Sequence, residues 1–407
     1  MSAEAGKQAS KADSYNHDRR FEVCREGPDS KNVNRSVFLP LSRFSGLGAP
    51  DLSSQFVDEV EELAKHVHVS LVAEKLGDEP SWSRHGKIAV HRVRPLETPR
   101  LRGFSKILLY LADLFERGLR CDIVYIRTFG LPELLTLISA KLLYRKTVFR
   151  IPGTWIFEPP TIRNRLNALV FRLAVMCSDR VCLYSKGMVK PVSKYASIPR
   201  RKLRIVPNAL NPERFSRVPV PKKDPTVLYV GRISESKGVH ILIQSAKEVL
   251  MEEPNARFIL IGNGAHEAFK QKMRQLIIDL RLEDRVQYIG PVPNSQLPEY
   301  YSSASVFAYP TLGGEGVTRA IMESLSCGTP VVATPDAGIP DVVIPNETGL
   351  LVPKNDVEAL ASAILEIVEN PIKANKMGEN GRRLILAKYT LEKTTPQLVS
   401  VITAVCS

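Results

Sequence analysis

The stretch Tyr309 to Thr334, YPTLGGEGVTRAIMESLSCGTPVVAT, decides how the second half of this 407-residue chain is built. An apolar strand ends at Pro310, a helix begins near Val317, and Gly328 ends that helix because glycine readily takes the left-handed conformation that stops helices. A second strand follows at once. Strand, loop, helix and strand in this order predict an open α/β sheet, in which ligands bind at the carboxyl ends of the strands.

Two glutamates in this stretch are candidate binding residues. Glu315 lies on the loop at the carboxyl end of the first strand, and Glu323 lies about two turns into the following helix. Both carboxylates can face one crevice, where the start of the helix adds free backbone N–H groups that suit a phosphate. The alternative interpretation is a solvated acid that stabilises the helix dipole and a second glutamate on the helix surface.

A second stretch, Val227 to His240 (VLYVGRISESKGVH), repeats the strand-to-helix pattern. Its apolar strand runs into Gly231 and Arg232, and Lys237 opens the next helix. Arginine supplies a planar fork and lysine a point charge, the two ways in which proteins hold phosphate. The spacing differs from that of a Walker loop, which disfavours a nucleoside triphosphatase.

Taken together, the two stretches resemble the donor-binding half of glycosyltransferase family 4, retaining enzymes of GT-B architecture that use sugar nucleotides. The resemblance covers most of the chain after Val37. Further similar pieces are IVPNALNPERF (205–215), FILIGNG (258–264), VQYIGPVPNSQLPEYYSSASVFAY (286–309) and GIPDVVIPNETGLLVP (338–353). The resemblance implies an α/β fold of GT-B type, with two Rossmann-like doubly wound domains facing a central cleft.

The resemblance also implies a donor site. Arg232, Lys237 and Glu315 are the candidate catalytic residues, with the two cations stabilising the negative charge of the departing diphosphate. Glu315 would accept hydrogen bonds from hydroxyls of the donor sugar, and Glu323 from both ribose hydroxyls. The implied donor-binding residues are Gly46, Gly48, Gly231, Arg232, Lys237, Gly262, Val292, Glu315, Gly316, Val317, Thr318, Arg319 and Glu323. The alternative for the glycine loop that carries Gly46 and Gly48 is an ordinary turn between strand and helix.

The sequence departs from the family pattern at two positions. Pro152 stands where many members have a histidine beside the transferred sugar, so Arg150, Thr154 or a residue from elsewhere must supply that polar surface. Thr318 stands where the donor loop usually has glycine. Asn208 also has two interpretations, a local turn or a role at the junction of the domains.

Composition and cysteine pattern favour a soluble cytoplasmic protein. Hydrophobic residues make up 44% of the chain and charged residues 24%, as is typical of globular domains. No apolar run approaches the roughly 20 residues that span a bilayer, and the polar N-terminus lacks the apolar core of a signal peptide. The six cysteines show no paired short spacing. We therefore expect a cytoplasmic location, with the cytoplasmic face of the membrane as a candidate site of action.

The net charge of +13 is concentrated in the first half of the chain, where residues 84–215 carry 26 Lys and Arg against 8 Asp and Glu. Such an excess indicates an anionic partner, either a membrane surface or an acidic acceptor. Two apolar-basic helices, near Pro132 to Tyr144 and Thr161 to Met176, are candidate membrane contacts. The alternative is that both helices simply cover a sheet.

The pattern along the chain predicts the domain boundaries. Residues 1–35 are expected to form a disordered tail, 36–215 an acceptor-side Rossmann-like domain, 216–225 a proline-rich linker, 226–386 a nucleotide-sugar-binding Rossmann-like domain, and 387–407 a segment that crosses back to the first domain. These boundaries follow the alternation of strands and helices and the run of three prolines in the linker.

The expected function is a retaining, metal-independent transfer of a hexose-type sugar from a nucleoside diphosphate sugar to a hydroxyl acceptor, either lipid-linked or a glycan. The sequence lacks an Asp-x-Asp motif, so we expect no metal and no other cofactor. The alternative activity is that of a sugar-nucleotide epimerase or hydrolase of the same architecture. A nucleic-acid binder would explain the charge but not the two cations and two glutamates together, and a catalytically silent scaffold is the remaining alternative.

Overall fold

A computed structural model of the chain describes residues 35–40, 55–75, 80–94, 105, 108–109, 112, 121–153, 162–221, 224–264 and 267–406. The predicted N-terminal tail lies outside the described residues except for Arg35. Gly46, Gly48 and Thr154 also lie outside them.

The first domain is built on an eight-stranded sheet in the order β3-β4-β2-β1-β5-β6-β7-β8. Its strands are β1 (Ser36–Pro40), β2 (His68–Glu74), β3 (Trp82–His85), β4 (Ile88–Val93), β5 (Ile123–Ile126), β6 (Lys146–Arg150), β7 (Arg180–Leu183) and β8 (Leu203–Ile205). β3 pairs antiparallel with β4 across a turn at Gly86, whose φ of 59° suits glycine. The sequence pattern predicted only parallel strands and missed this short edge hairpin, because β3 is mostly exposed and has no apolar face.

Helices cover both faces of this sheet. They are α1 (Gln55–Ala64), α2 (Leu131–Leu142), α3 (Ile162–Cys177) and the short α4 (Val189–Ser193). Successive strand residues point to opposite faces, so Val37 and Leu39 pack with α1 whereas Phe38 joins the core under α2 and α3. The alternating apolar residues therefore fill two cores, as a doubly wound sheet requires.

The second domain has a six-stranded sheet in the order β11-β10-β9-β12-β13-β14, and all its strand pairs are parallel. Its strands are β9 (Thr226–Val230), β10 (Arg257–Ile261), β11 (Val286–Gly290), β12 (Val306–Tyr309), β13 (Val331–Ala333) and β14 (Gly349–Leu351). Its helices are α5 (Val239–Glu252), α6 (Glu267–Asp279), α7 (Leu297–Ser303), α8 (Arg319–Ser326), α9 (Val357–Val368) and α10 (Pro371–Lys388). The predicted fold class, two Rossmann-like α/β domains, is thus confirmed.

The last helix, α11 (Leu391–Thr403), packs on α1 of the first domain. Leu398, Val399 and Ile402 are almost fully buried in the same core as Val37 and Leu39 of β1. Pro396 lies within this helix, where proline removes one backbone hydrogen bond. The last described helix therefore packs in the domain that contains β1.

The two domains meet at the carboxyl ends of their strands. Nδ2 of Asn208 donates a hydrogen bond of 3.3 Å to the carbonyl oxygen of Val317, so Asn208 acts at the junction of the domains. A Cβ added at Gly316 would lie 3.5 Å from the carbonyl oxygen of Pro152 and from the ring of Tyr184. These contacts place the loops after β6, β7 and β12 at one crevice. Within the described part of the chain, no helix combines the length and apolarity needed to cross a membrane.

Candidate active site

The site is centred on the place where the turn after β9 meets the loop after β12. The turn is a short 3-10 helix, Glu235–Lys237, followed by Gly238 with a φ of 68°. A Cβ at Gly238 would collide with the carbonyl oxygen of Pro310, so only glycine allows this approach. The carbonyl oxygen of Ser236 accepts hydrogen bonds from the Leu312 backbone N–H (2.9 Å) and the Thr311 hydroxyl (3.2 Å). The two loops are therefore fixed against each other.

Glu315 lies at this meeting point and is almost fully buried. Its Oε1 receives the Lys237 ammonium group, the Tyr309 hydroxyl at 3.2 Å and the Thr311 hydroxyl at 3.4 Å. Its Oε2 receives the Thr318 hydroxyl at 3.4 Å. The Thr311 hydroxyl shares its single proton between Glu315 and the Ser236 carbonyl oxygen, whereas Lys237, Tyr309 and Thr318 each supply a donor. The interpretation of Glu315 as a solvated acid is wrong because only 9% of the residue is exposed.

Lys237 is also buried, and the groups around it shift its pKa in opposite directions. Burial lowers the pKa of Lys237 to about 8, with the neighbouring Arg232 acting in the same direction and Asp336 against it. Contact with the Glu315 carboxylate favours the ammonium form. Because the unperturbed pKa of lysine is near 10.4, this ammonium group holds its proton less firmly than a surface lysine does and depends on nearby anions.

Arg232 lies close enough to Lys237 and Tyr309 to act on the pKa of both side chains. Its backbone carbonyl oxygen accepts the Tyr229 hydroxyl at 2.8 Å, which fixes the turn after β9. The structure therefore gathers the two predicted cations and Glu315 in one place. Together they present positive charge beside a buried carboxylate at the carboxyl edge of the sheet.

Asp336 belongs to the same cluster and was missed by the sequence analysis. One carboxylate oxygen accepts the backbone N–H of Glu315 at 2.7 Å, and the other faces Lys354 at 2.6 Å. Asp336 follows β13 as Glu315 follows β12, and neighbouring parallel strands present their carboxyl ends at the same edge. That repeated position is the signal that could have identified it.

Glu323 is buried on α8, the helix that follows the loop carrying Glu315. Its Oε2 accepts the Tyr301 hydroxyl at 2.9 Å, and its Oε1 lies 3.4 Å from the Arg319 guanidinium. Burial raises the pKa of the Glu323 carboxyl, although Arg319 and Tyr301 act against that shift. The interpretation of Glu323 as a surface glutamate is wrong, since only 6% of the residue is exposed.

The remaining predicted residues line the same edge of the sheet at different distances from the centre. Gly262 has a φ of 145°, and a Cβ there would collide with the carbonyl oxygen of Gly231, so glycine keeps the ends of β9 and β10 in contact. Gly316 and Val317 lie at the domain junction. Val292 follows β11, which is two strands from β9.

On the first domain, Arg150 does not provide the polar surface that Pro152 lacks. Its guanidinium is fully buried and donates to Glu59 (2.9 Å) and to the carbonyl oxygens of Val206 (3.2 Å) and Pro207 (2.9 Å). Burial acts to raise the pKa of the Glu59 carboxyl, but Arg127 and Arg150 outweigh it, so this pKa is lowered. Arg150 is therefore a structural residue at the base of the crevice.

Two family models divide the chain between them. The model described as Glycosyltransferase Family 4 matches residues 53–214, and the model described as Glycosyl transferases group 1 matches residues 211–384. Their boundary coincides with the junction between the two sheets. Together they cover both domains, including the loops after β9 and β12.

Curated relatives match part of the chain. The GDP-mannose-dependent alpha-(1-6)-phosphatidylinositol monomannoside mannosyltransferase of Mycolicibacterium smegmatis is 30% identical over 171 residues, which are 40% of this chain and 44% of that protein. The chain spans about half the length of the curated relatives it matches.

Solved structures match almost the whole chain. Sucrose-phosphate synthase from Thermosynechococcus elongatus superposes with a TM-score of 0.76 at 22% identity, over 91% of this chain and 99% of that one. HepE of Anabaena, in complex with UDP-glucose, superposes with a TM-score of 0.73 at 17% identity, over 91% of this chain and 99% of that one. At these identities the likeness establishes the two-domain fold.

Proposed function

The chain belongs to the family 4 glycosyltransferases of GT-B fold, and from that premise we propose that it transfers a hexose-type sugar from a nucleoside diphosphate sugar to a hydroxyl acceptor. The family models cover both domains. The observation that carries the proposal is the cluster formed by the exposed Arg232 with the buried Lys237 and Glu315 at the carboxyl ends of β9 and β12.

Arg232 and Lys237 would stabilise the negative charge of the leaving group. As the bond between the anomeric carbon and the diphosphate oxygen breaks, negative charge builds on that oxygen, and preorganised cations stabilise it without further reorganisation. Arg232 can present a planar fork and Lys237 a point charge to this oxygen. With these two cations we propose that transfer needs no metal ion.

Glu315 would change partners when the donor binds. Its carboxylate neutralises Lys237, and a diphosphate that draws the ammonium towards itself leaves Oε1 able to accept a hydrogen bond from a sugar hydroxyl. Glu323 would accept from the ribose hydroxyls in the same way, in exchange for its contacts with Tyr301 and Arg319.

We propose that the reaction retains the anomeric configuration. In this scheme the acceptor oxygen attacks the anomeric carbon from the side on which the diphosphate leaves, and the acceptor proton passes to a diphosphate oxygen. One carbon–oxygen bond breaks and one forms, and the products are the glycoside and a protonated nucleoside diphosphate. This route requires no nucleophile from the protein.

The acceptor is proposed to be lipid-linked or a glycan, reached at the cytoplasmic face of an anionic membrane. Helix α3 turns Val170, Phe171 and Ala174 towards the sheet, so it does cover the sheet. Its other side carries an exposed apolar stripe, which we call the α3 stripe: Leu166, Leu169, Leu173 and Met176, with exposures of 60, 52, 37 and 70%. Arg165 and Arg172 lie exposed on the same helix. Apolar residues flanked by basic ones suit a membrane interface.

The test is a donor screen followed by product analysis. The protein is heated with a panel of nucleoside diphosphates and their sugar conjugates, because a bound donor raises the melting temperature by mass action. The stabilising donor is then incubated with glycan and lipid-linked acceptors, with and without a metal chelator. A glycoside of unchanged anomeric configuration, formed equally with the chelator, supports the proposal. Free sugar or an epimer formed regardless of acceptor would indicate a hydrolase or epimerase instead.

A further inference from the structure

Four neighbouring strands of the second sheet have a row of charged residues beyond their carboxyl ends. In the strand order β9-β12-β13-β14, Lys237 follows β9, Glu315 follows β12, Asp336 follows β13 and Lys354 follows β14. Each lysine pairs with the neighbouring acid, since Lys237 contacts Glu315 and Lys354 lies 2.6 Å from Asp336. The proposed reaction uses Lys237 and Glu315 but gives no role to Asp336.

Asp336 holds the backbone of the loop after β12. Its Oδ2 accepts the backbone N–H of Glu315 at 2.7 Å, and two residues later the backbone N–H of Gly338 donates to the carbonyl oxygen of Gly316 at 3.1 Å. Ala337 lies between these two contacts with a φ of 39°, which residues other than glycine rarely adopt. Such strain persists only where surrounding contacts enforce it, so the two loops are fixed against each other at this point.

The loop after β13 also contacts the first domain. A Cβ added at Gly187, just after β7, would collide with the carbonyl oxygen of Ala337, so only glycine allows this approach. Asp336 directly precedes Ala337. Its carboxylate is therefore attached to a segment that is packed between the two domains, and it is held in place beside Glu315.

The charge of Asp336 also acts on Lys237. The groups around Lys237 are the cationic Arg232, the anionic Glu315 and Asp336, and the ring of Tyr309 at 5.9 Å. Burial and Arg232 lower the pKa of Lys237, whereas Asp336 acts to raise it. Because one carboxylate cannot balance two cations, Asp336 supplies the second negative charge of the cluster.

We propose that Asp336 is a positioning residue of the donor site, which fixes the backbone of Glu315 and supplies a second negative charge for Lys237. The inference rests on the proposed function and adds a residue to the site that would bind the donor. Asp336 need not touch the donor. It acts through Glu315, whose carboxylate would accept a sugar hydroxyl, and through Lys237, whose ammonium group would meet the diphosphate.

The test follows the protonation of Lys237 directly and without a donor. Protein that contains lysine isotope-labelled at Cε is titrated by NMR between about pH 6 and 10, and the signal missing from Lys237→Arg identifies Lys237. Asp336→Asn keeps an oxygen that can accept the Glu315 N–H but loses the charge, whereas Asp336→Glu keeps the charge. Asp224→Asn, which removes an exposed carboxylate paired with Arg257, is the matched control.

The midpoint of the Lys237 titration should lie at about pH 8 in the wild type. It should be lower by about half a pH unit or more in Asp336→Asn, because a nearby opposite charge favours the ammonium form. It should stay near the wild-type value in Asp336→Glu and Asp224→Asn.

Calorimetry with UDP or GDP, whichever the donor screen selects, gives a second readout. The affinity of Asp336→Asn relative to the wild type should be about threefold lower at pH 9 than at pH 7, because the variant loses the Lys237 proton earlier. A purely structural defect would instead change the affinity by the same factor at both pH values.

An unchanged midpoint in Asp336→Asn would overturn the inference, and so would an equal decrease in Asp336→Glu. If Asp336→Asn does not fold, Lys354→Gln takes its place. Loss of the cation beside Asp336 should raise the Lys237 midpoint, and a midpoint that stays or falls would contradict the inference. The titration needs neither donor nor transfer. A protein that forms no glycoside can therefore still pass it, and an active transferase can fail it.

Discussion

Lys237 and Glu315 are 78 positions apart in the chain, yet their side chains form a buried ion pair that joins the turn after β9 to the loop after β12. The pair holds a cation and a carboxylate side by side. Removing one partner of a buried ion pair leaves the charge of the other uncompensated. Each residue can therefore be tested by substituting its partner.

Lys237→Ala should lower turnover by about a hundredfold or more, because one preorganised charge on the leaving group is lost. The measurement is the rate of glycoside formation at saturating donor. Lys270→Ala is the control, since Lys270 pairs with Glu267 on α6 and should leave the rate unchanged. Near-normal turnover in Lys237→Ala would remove this residue from the proposed mechanism.

The affinity for nucleoside diphosphate should fall as pH rises through about 8. The pKa of Lys237 is lowered to about 8 by burial and Arg232, so the ammonium form that binds diphosphate is present below that pH and lost above it. Calorimetry between about pH 7 and 9 measures the change. Lys237→Arg stays charged throughout this range and should show a flat profile. The same decline in both proteins would assign the titration to another group.

Glu323→Gln should weaken nucleoside diphosphate binding by about tenfold, as expected when a hydrogen bond to a charged acceptor is lost. The reference ligand is the 2′-deoxy nucleotide. The wild type should bind it more weakly than the ribonucleotide, whereas Glu323→Gln should bind the two alike. If the variant discriminates as well as the wild type, the ribose hydroxyl has a different partner.

Glu59→Gln should destabilise the protein by about 3–5 kcal/mol, because Arg127 and Arg150 would then share no buried counter-ion. Urea unfolding measures the loss. The folded-state pKa of Glu59 is lowered, so its contribution is present above the unfolded pKa near 4.3 and is lost as pH falls through the folded-state value. The difference between wild type and variant should therefore shrink in acid. Glu62→Gln removes an exposed pair with Lys65 and should have little effect.

Binding to anionic vesicles should depend on salt and on the α3 stripe. Screening weakens attraction between exposed charges and anionic headgroups, so co-sedimentation with vesicles that contain phosphatidylserine should decrease as salt rises. Leu166→Ser and Leu169→Ser should reduce it further, since each removes exposed apolar surface. Ile372→Ser, at a still more exposed position of the second domain, is the control. Equal binding at all salt concentrations would contradict an electrostatic contribution to vesicle binding.

The sequence predicted the fold well because apolar runs and glycine positions carry that information locally. Tyr309 to Thr334 contains a strand, loop, helix and strand, and the structure has them as β12, α8 and β13. The sequence predicts a helix that opens at Lys237, and the positive φ of Gly238 marks the turn at that point. The sequence did not predict the edge strand β3, because its residues have no apolar face and the only turn signal beside it is Gly86.

Contacts between side chains that are far apart in the sequence were harder to predict. The sequence identified Lys237 and Glu315 as residues of one site, but their direct contact depends on how closely Gly238 approaches Pro310. Arg127 and Arg150 look alike in sequence, each at the end of a strand. Only the three-dimensional arrangement shows that both arginines share Glu59 and that Arg150 also donates to the carbonyl oxygens of Val206 and Pro207.

The packing of α11 against α1 has a consequence for how the protein is made. The ribosome releases the first domain's strands long before Leu398 and Ile402 exist, and until then the core between β1 and α1 lacks the side chains that α11 contributes. The second domain can complete its own core earlier, although it is encoded later than the first. Nascent chains should therefore need protection of the α1 face until synthesis ends, and removal of residues after Thr390 should impair the amino-terminal half more than the half to which they are adjacent in sequence.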